Sequence, residues 1–286
     1  MRIVVVGARG QLATAVAHAC TPAHEVITFT RAELDAADAA AVAEAIRRTQ
    51  PDAIVNGVAY NDVDGAEDHP LDALNANAFA VRALARAAQQ VGAALVHYST
   101  DFVFDGRASE PYREDQPVNP RGVYAASKML GEWFAMDAPR AYVLRVESLF
   151  GRAPGAAPPK GSVAAIMNTL LAAGAPKVFA DRTVSPTYVI DAAQATRRLL
   201  ELEAPPGLYH CVNSGHCTWL ELAVELARQL GVEPRLVPTR MADVPMRAER
   251  PQYCVLSNEK LRGLGIEMPE WQDALARYLQ AERLHA

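Results

Sequence analysis

Short aliphatic runs alternate along this chain with stretches in which Ala, Leu and Val recur at three- and four-residue intervals. The runs at 3–6, 26–29, 53–56, 94–97 and 142–146 show little polar alternation. They predict strands of a parallel sheet covered on both faces. Helical periodicity fills the gaps at 11–20, 39–48, 71–91 and 123–136. A repeated strand-helix order predicts an α/β protein with a doubly wound parallel sheet and right-handed crossovers.

The texture changes after Gly151. The stretch 152–161 is rich in Pro, Gly and Ala and carries Arg152 and Lys160, which marks it as a boundary, a surface loop or a lid. Further on, Thr218-Trp219-Leu220-Glu221 reads as a capping box opening a helix to about Leu230, with Gly231 as its stop. Pro234, Pro238, Pro245 and Pro251 break the remainder into short pieces, as in a smaller lobe.

Composition narrows the class. With 286 residues, half of them hydrophobic, the chain can bury a substantial core. A net charge of -5 argues against nucleic acid as a partner. No apolar run is long enough to span a bilayer, and the apolar start is cut short by Arg9, so neither a membrane nor a signal peptide is expected and the location is read as cytoplasmic. Cys20, Cys211, Cys217 and Cys254 are too scattered for a disulfide framework. His210-Cys211 falls in a predicted strand at 208–212, where neighbours diverge, so no metal site is expected.

Three segments carry chemistry. Tyr124 and Lys128 stand four residues apart on a predicted helix, hence on one face. An ammonium beside a phenol favours the phenolate, so Lys128 is expected to pull the Tyr124 pKa down and make it a general acid. Gly7-Ala8-Arg9-Gly10-Gln11-Leu12-Ala13 links the first strand to a helix, the context of a pyrophosphate site: Gly7 for the turn, Gly10 for close approach. The second strand ends at Phe29-Thr30-Arg31 with no acid in place for a ribose 2′-hydroxyl. Arg31 suits a 2′-phosphate and favours NADP, while Glu33 and Asp35 keep NAD open. Asp35 caps the turn or lies near the adenine. Ser99-Thr100-Asp101 follows the fourth strand, where a hydroxyl can donate to a carbonyl oxygen as Tyr124 delivers the proton.

Together with Pro51-Asp52-Ala53-Ile54-Val55-Asn56, Ala59-Tyr60-Asn61-Asp62-Val63-Asp64, Ser99 to Gly106, Ser185-Pro186-Thr187 and Arg250-Pro251, these segments resemble the extended short-chain dehydrogenase/reductases. Within them the chain is similar to the dTDP-4-dehydrorhamnose reductase family over nearly its whole length. The resemblance implies a Rossmann NAD(P)-binding domain at 1–150. It implies a mainly substrate-binding lobe at 151–286, some of whose segments return to the first domain. It also implies Thr100, Tyr124 and Lys128 as the catalytic set, with Lys128 holding the nicotinamide ribose. Gly10, Gln11, Leu12, Arg31, Val58, Ala59, Tyr60 and Tyr98 would line the cofactor, and Asp101, Ser148 and Arg250 would face the substrate. The implied reaction is NADPH-dependent reduction of the 4-keto group of a nucleotide-linked deoxysugar. A homodimer is left open.

The chain also departs from that pattern. Ser148 stands about where the rhamnose reductases place a Trp after Leu144-Arg145, and Gln252-Tyr253-Cys254 replaces the Asn-Ser after the Arg-Pro pair. The identity of the sugar therefore stays open. Two other functions remain: a sugar-nucleotide epimerase or dehydratase, weakened by Phe102 where dehydratases carry Glu, and a non-catalytic NADP-binding regulatory subunit, weakened by the retained Tyr124 and Lys128.

Overall fold

The computed structural model describes residues 1–158 and 161–284. Pro159 and Lys160 of the proline-rich loop thus lie outside the described residues. The strands are β1 (Arg2–Val6), β2 (Glu25–Phe29), β3 (Ala53–Asn56), β4 (Ala94–Thr100), β5 (Ala141–Val146) and β6 (Gly207–His210). They form one sheet in the order β6-β5-β4-β3-β1-β2, with every pair parallel. Chain direction across the sheet reverses between β1 and β3, which opens a crevice at their carboxyl ends.

Apolar residues on both faces of each strand explain the absence of alternation. In β1, Ile3 and Val5 pack with Leu12, Val16, Val189 and Leu199 on one side. Val4 and Val6 pack with Val42, Ile46, Val81 and Leu84 on the other. The first side is covered by α1 (Gln11–Cys20), the second by α2 (Ala39–Thr49), whose N-terminus is capped by Asp38 Oδ1 accepting from Ala40 N and Ala41 N, both at 3.0 Å.

Two boundaries differ from the sequence pattern. Strand β4 runs on through Ser99 and Thr100 because these pair with Arg145 and Val146 of β5, so two polar residues are carried to the sheet edge inside a strand. The single helix predicted over 71–91 is interrupted. After α3 (Val63–Asp68), α4 (Pro70–Leu74) leads into a π-helical turn at Asn75–Phe79 before α5 (Ala80–Val91). The buried Asn77 side chain explains that turn: it accepts from Tyr60 N at 2.8 Å and donates to Tyr60 O at 3.0 Å. Such turns concentrate at functional sites.

Helix α6 (Val123–Met136) precedes β5, and α7 (Ser162–Leu171), α8 (Val189–Glu201), α9 (Trp219–Leu230) and α10 (Trp271–Arg283) follow it. Residues of α8 and β6 share the core of the main sheet. A separate cluster gathers Phe150, Met167, Tyr188, Trp219, Leu226, Trp271 and Tyr278. The expected capping box is formed, with Glu221 N donating to Thr218 Oγ1 at 3.1 Å and Thr218 N to Glu221 Oε2 at 2.7 Å. Helix α9 stops at Gly231, as its sequence indicates. No helix among the described residues is long and apolar enough to cross a membrane.

Candidate active site

The crevice holds two adjoining cavities. One, of about 300 Å³, is walled by Gln11, Leu12, Tyr98, Thr100, Asp101, Tyr124, Lys128, Glu147 and Ser148, among others. The other, of about 840 Å³, is walled by Gly7, Arg9, Arg31, Asp35, Tyr60 and neighbours. Gly10, Gly57, Val58 and Ala59 belong to both walls, so the two form one cleft across the switch point. Apart from Arg250, every residue assigned to cofactor, substrate or catalysis from the sequence lines this cleft.

Local chemistry explains how the glycine turn is built. Gly7 lies at φ +78°, and a Cβ there would stand 2.8 Å from the Gly57 carbonyl carbon. Gly10 precedes α1 in extended conformation and offers no side-chain cap, which leaves first-turn N–H groups directed at the cleft. Gln11 Nε2 donates to Gly151 O at 2.5 Å, tying α1 to the segment beyond β5. Asp35 both lines the larger cavity and caps its turn, with Oδ1 accepting from Ala37 N at 3.0 Å. Glu33 is turned away from any ribose: Oε2 accepts from Thr30 N and Thr30 Oγ1, both at 2.8 Å. Arg9 and Arg31 are exposed on that wall, and neither has a carboxylate partner among the described residues.

Helix α6 delivers Tyr124 and Lys128. Glu67 Oε1 accepts from Val123 N at 2.7 Å and holds the helix start in place. Ser127, between the two, accepts from Asn77 Nδ2 at 3.0 Å, which couples α6 to the π turn. The buried Arg145–Glu132 pair, bidentate at 2.8 Å, fixes α6 on β5.

The expectation that Lys128 lowers the Tyr124 phenol is not met. Burial pushes the phenol up, the Thr100 hydroxyl opposes this, and Asp101 adds to it. Lys128 is instead turned to the strand, donating from Nζ to Tyr98 O at 2.5 Å. Its own pKa is lowered to about 8 by burial, with Glu132 resisting. A raised phenol stays protonated at neutral pH, the state required of a proton donor.

Thr100 donates from Oγ1 to Asp101 Oδ1 at 2.9 Å, leaving its lone pairs toward the cleft and the Phe102 N–H. Tyr98 lines the same wall, and its hydroxyl is bonded to Thr196 Oγ1 at 2.7 Å. Ser148 adopts φ +43°, an uncommon backbone state for a serine and one that concentrates at functional sites. Arg250 is placed elsewhere. Its guanidinium forms a bidentate pair with Asp64, at 2.9 and 2.8 Å, and straps the segment before Pro251 onto α3. That geometry uses the fork a substrate contact would need.

His210 and Cys211 diverge as expected: the ring bonds the Ser257 carbonyl at 3.2 Å and the thiol enters the core. Two residues escaped the sequence pattern: Asn77, which braces Tyr60 and Ser127, and Glu147, which lines the smaller cavity. A polar Asn inside an apolar helical stretch and an acid directly after a strand were the available signals.

A proton-donating phenol and a buried ammonium that reach the same cleft as an uncapped first helix define an extended short-chain dehydrogenase/reductase. More narrowly, the chain belongs to the RmlD substrate binding domain family, whose model matches residues 1–284. It is 33% identical over 285 residues to the spore coat polysaccharide biosynthesis protein SpsK of Bacillus subtilis, covering 98% of this chain and 97% of that one. A dTDP-4-dehydrorhamnose reductase of Streptomyces griseus is 36% identical over 265 residues, 90% of this chain and 85% of its own. The crystal structure of dTDP-4-dehydrorhamnose reductase from Bacillus anthracis in complex with NADP has a TM-score of 0.91 at 30% identity, covering 97% of this chain and 98% of its own.

Proposed function

We propose that this protein reduces the 4-keto group of a nucleotide-linked deoxysugar, with NADPH as reductant. The observation that carries the proposal is the shared wall: Thr100, Tyr124 and Lys128 open onto the smaller cavity, which joins the larger one at Gly10, Gly57, Val58 and Ala59.

The cleft fits a dinucleotide. The uncapped start of α1 suits the pyrophosphate, and Arg9 and Arg31 suit a 2′-phosphate. Asp35 faces the adenosine end, and Val58, Ala59 and Tyr60 bridge toward Tyr98 and Lys128 at the nicotinamide end. When bound, NADPH supplies the hydride. Tyr124 gives its phenolic proton to the oxygen on which negative charge develops, and Thr100, whose own hydroxyl proton is held by Asp101, lines the wall beside it. Lys128, held by the Tyr98 carbonyl, contributes a buried positive charge to the wall of the smaller cavity, at the nicotinamide end. Asp101 and Ser148 meet the sugar.

A relative crystallised with NADP and a relative named as a reductase of a nucleotide-linked ketosugar support this assignment. A cytoplasmic setting agrees with four buried, unpaired thiols. Exposed Phe79, Trp133 and Met136 support a homodimer. The test is incubation with a panel of nucleotide-linked 4-keto-deoxysugars. The expected result is one NADPH oxidised per alcohol formed; interconversion of sugars without net cofactor oxidation would show an epimerase instead.

A further inference from the structure

We propose that Glu147 and Asp101 together clamp one hydroxyl of the substrate beside its reacting carbonyl, Glu147 donating and Asp101 accepting, so that Glu147 determines specificity. The proposal rests on the ketosugar assignment for the identity of the ligand.

Register places the two acids together. Thr100 of β4 pairs with Val146 of β5, and the next residue on each strand is Asp101 or Glu147, at the sheet edge. Both line the smaller cavity, and they are only 3% and 2% exposed. Each has one oxygen engaged: Asp101 Oδ1 accepts from Thr100 at 2.9 Å, and Glu147 Oε2 accepts from Ser185 N at 2.7 Å. The other oxygen of each, Asp101 Oδ2 and Glu147 Oε1, has no hydrogen-bond partner among the described residues. A buried acceptor without a partner is costly, and two in one wall point to a ligand group that meets them.

Charge decides what that group is. Asp101, Glu147 and Cys254 present ligand atoms within 4.8 Å of one another, a donor set that suits a cation, and the positive charge beside them is Arg182. Its guanidinium donates toward Cys254 Sγ at 3.7 Å and lies over the Phe102 ring, 5.3 Å from its centroid. One guanidinium balances one carboxylate, so the pair retains one proton. Burial raises both carboxyls, and Glu147, which has burial and the charge of Asp101 against it while Arg182 and the Thr100 hydroxyl favour the Asp101 carboxylate, is raised well above the usual range and is the protonated member. The remaining facing groups, Cys254, Cys217 and Tyr253, are raised by burial and bring no charge. A neutral acid beside a carboxylate offers one donor and one acceptor. A hydroxyl satisfies both at once, whereas a carbonyl or a methylene leaves at least one unpaired.

The test uses the NADP-loaded protein and two reduced nucleotide sugars, one with a hydroxyl adjacent to the carbinol carbon and one deoxygenated there. Calorimetry should show that the wild type prefers the hydroxylated sugar by on the order of 10²-fold or more. Glu147→Gln, which keeps a neutral donor, should retain most of that preference, and Glu147→Leu should reduce it to a few-fold. Infrared spectroscopy at pH 7 should show a protonated-carboxyl band in the wild type that Glu147→Gln removes. Equal binding of the two sugars by the wild type, a preference that survives in Glu147→Leu, or a missing band would each overturn the clamp. Ketosugar turnover without the hydroxyl preference would remove the clamp alone; the preference and band without turnover would remove the reductase assignment alone.

Discussion

Arg31→Ala should convert a cofactor preference into near indifference. Arg9 and Arg31 stand on the wall of the larger cavity without carboxylate partners among the described residues, while Glu33 is held by Thr30 and Asp35 caps its own turn. A charge-assisted hydrogen bond to phosphate is worth about 1.5–3 kcal/mol, and exposure of both arginines places this one toward the lower end. Since about 1.4 kcal/mol is tenfold, kcat/KM for NADPH should fall on the order of 10-fold, and that for NADH should change less than about threefold. The contact lies far from the reacting carbon, so the loss should fall on KM with kcat preserved. The assay is initial rates with each cofactor at saturating ketosugar, repeated in Arg9→Ala and in the double variant. Equal losses with both cofactors, or a wild type that already prefers NADH, would refute the role given to Arg31.

Tyr124→Phe keeps the ring and removes the proton, so kcat should drop on the order of 10²-fold or more while NADPH affinity measured by fluorescence titration stays within about twofold. Near-normal turnover would take Tyr124 out of the mechanism. Because burial lowers Lys128 to about 8, its charged form is present below that pH and lost above it; kcat should show an alkaline limb near pH 8 that Lys128→Arg moves upward. A limb unmoved in that variant would belong to another group. Asp64, held down to about 2 by Arg250, contributes stability that is present above its unbound pKa of 3.8 and lost as pH falls toward 2. Thermal melts of the wild type should therefore weaken over that window more steeply than those of Asp64→Asn, and parallel curves would show that the strap contributes nothing.

Much of the fold was legible because a sheet buried on both faces leaves aliphatic runs that few other environments tolerate, as Ile3 to Val6 illustrate. Polar residues at the sheet edge broke that legibility: Ser99 and Thr100 look like a loop until β5 pairs with them. The π turn was invisible because Asn77 acts through Tyr60, seventeen residues away in sequence and adjacent only after folding. Tyr124 and Lys128 were legible as a pair on one face, yet helical spacing says nothing of direction along the side chain. Lys128 bonds a strand carbonyl, and burial dominates the phenol. Arg250 sits in a motif that suggested the substrate, but its carboxylate partner, Asp64, lies 186 residues earlier in the chain.

Net hydride transfer to a sugar carbon is the central claim, and isotopic labelling tests it without relying on any variant. NADPH deuterated at the nicotinamide C4 position that is transferred should be incubated with the nucleotide-linked 4-ketosugar, and the product analysed by mass spectrometry and NMR. The expected product carries one deuterium on the new carbinol carbon and accumulates with an equal amount of NADP. A sugar product free of deuterium, or deuterium retained by the cofactor while sugars interconvert, would contradict it.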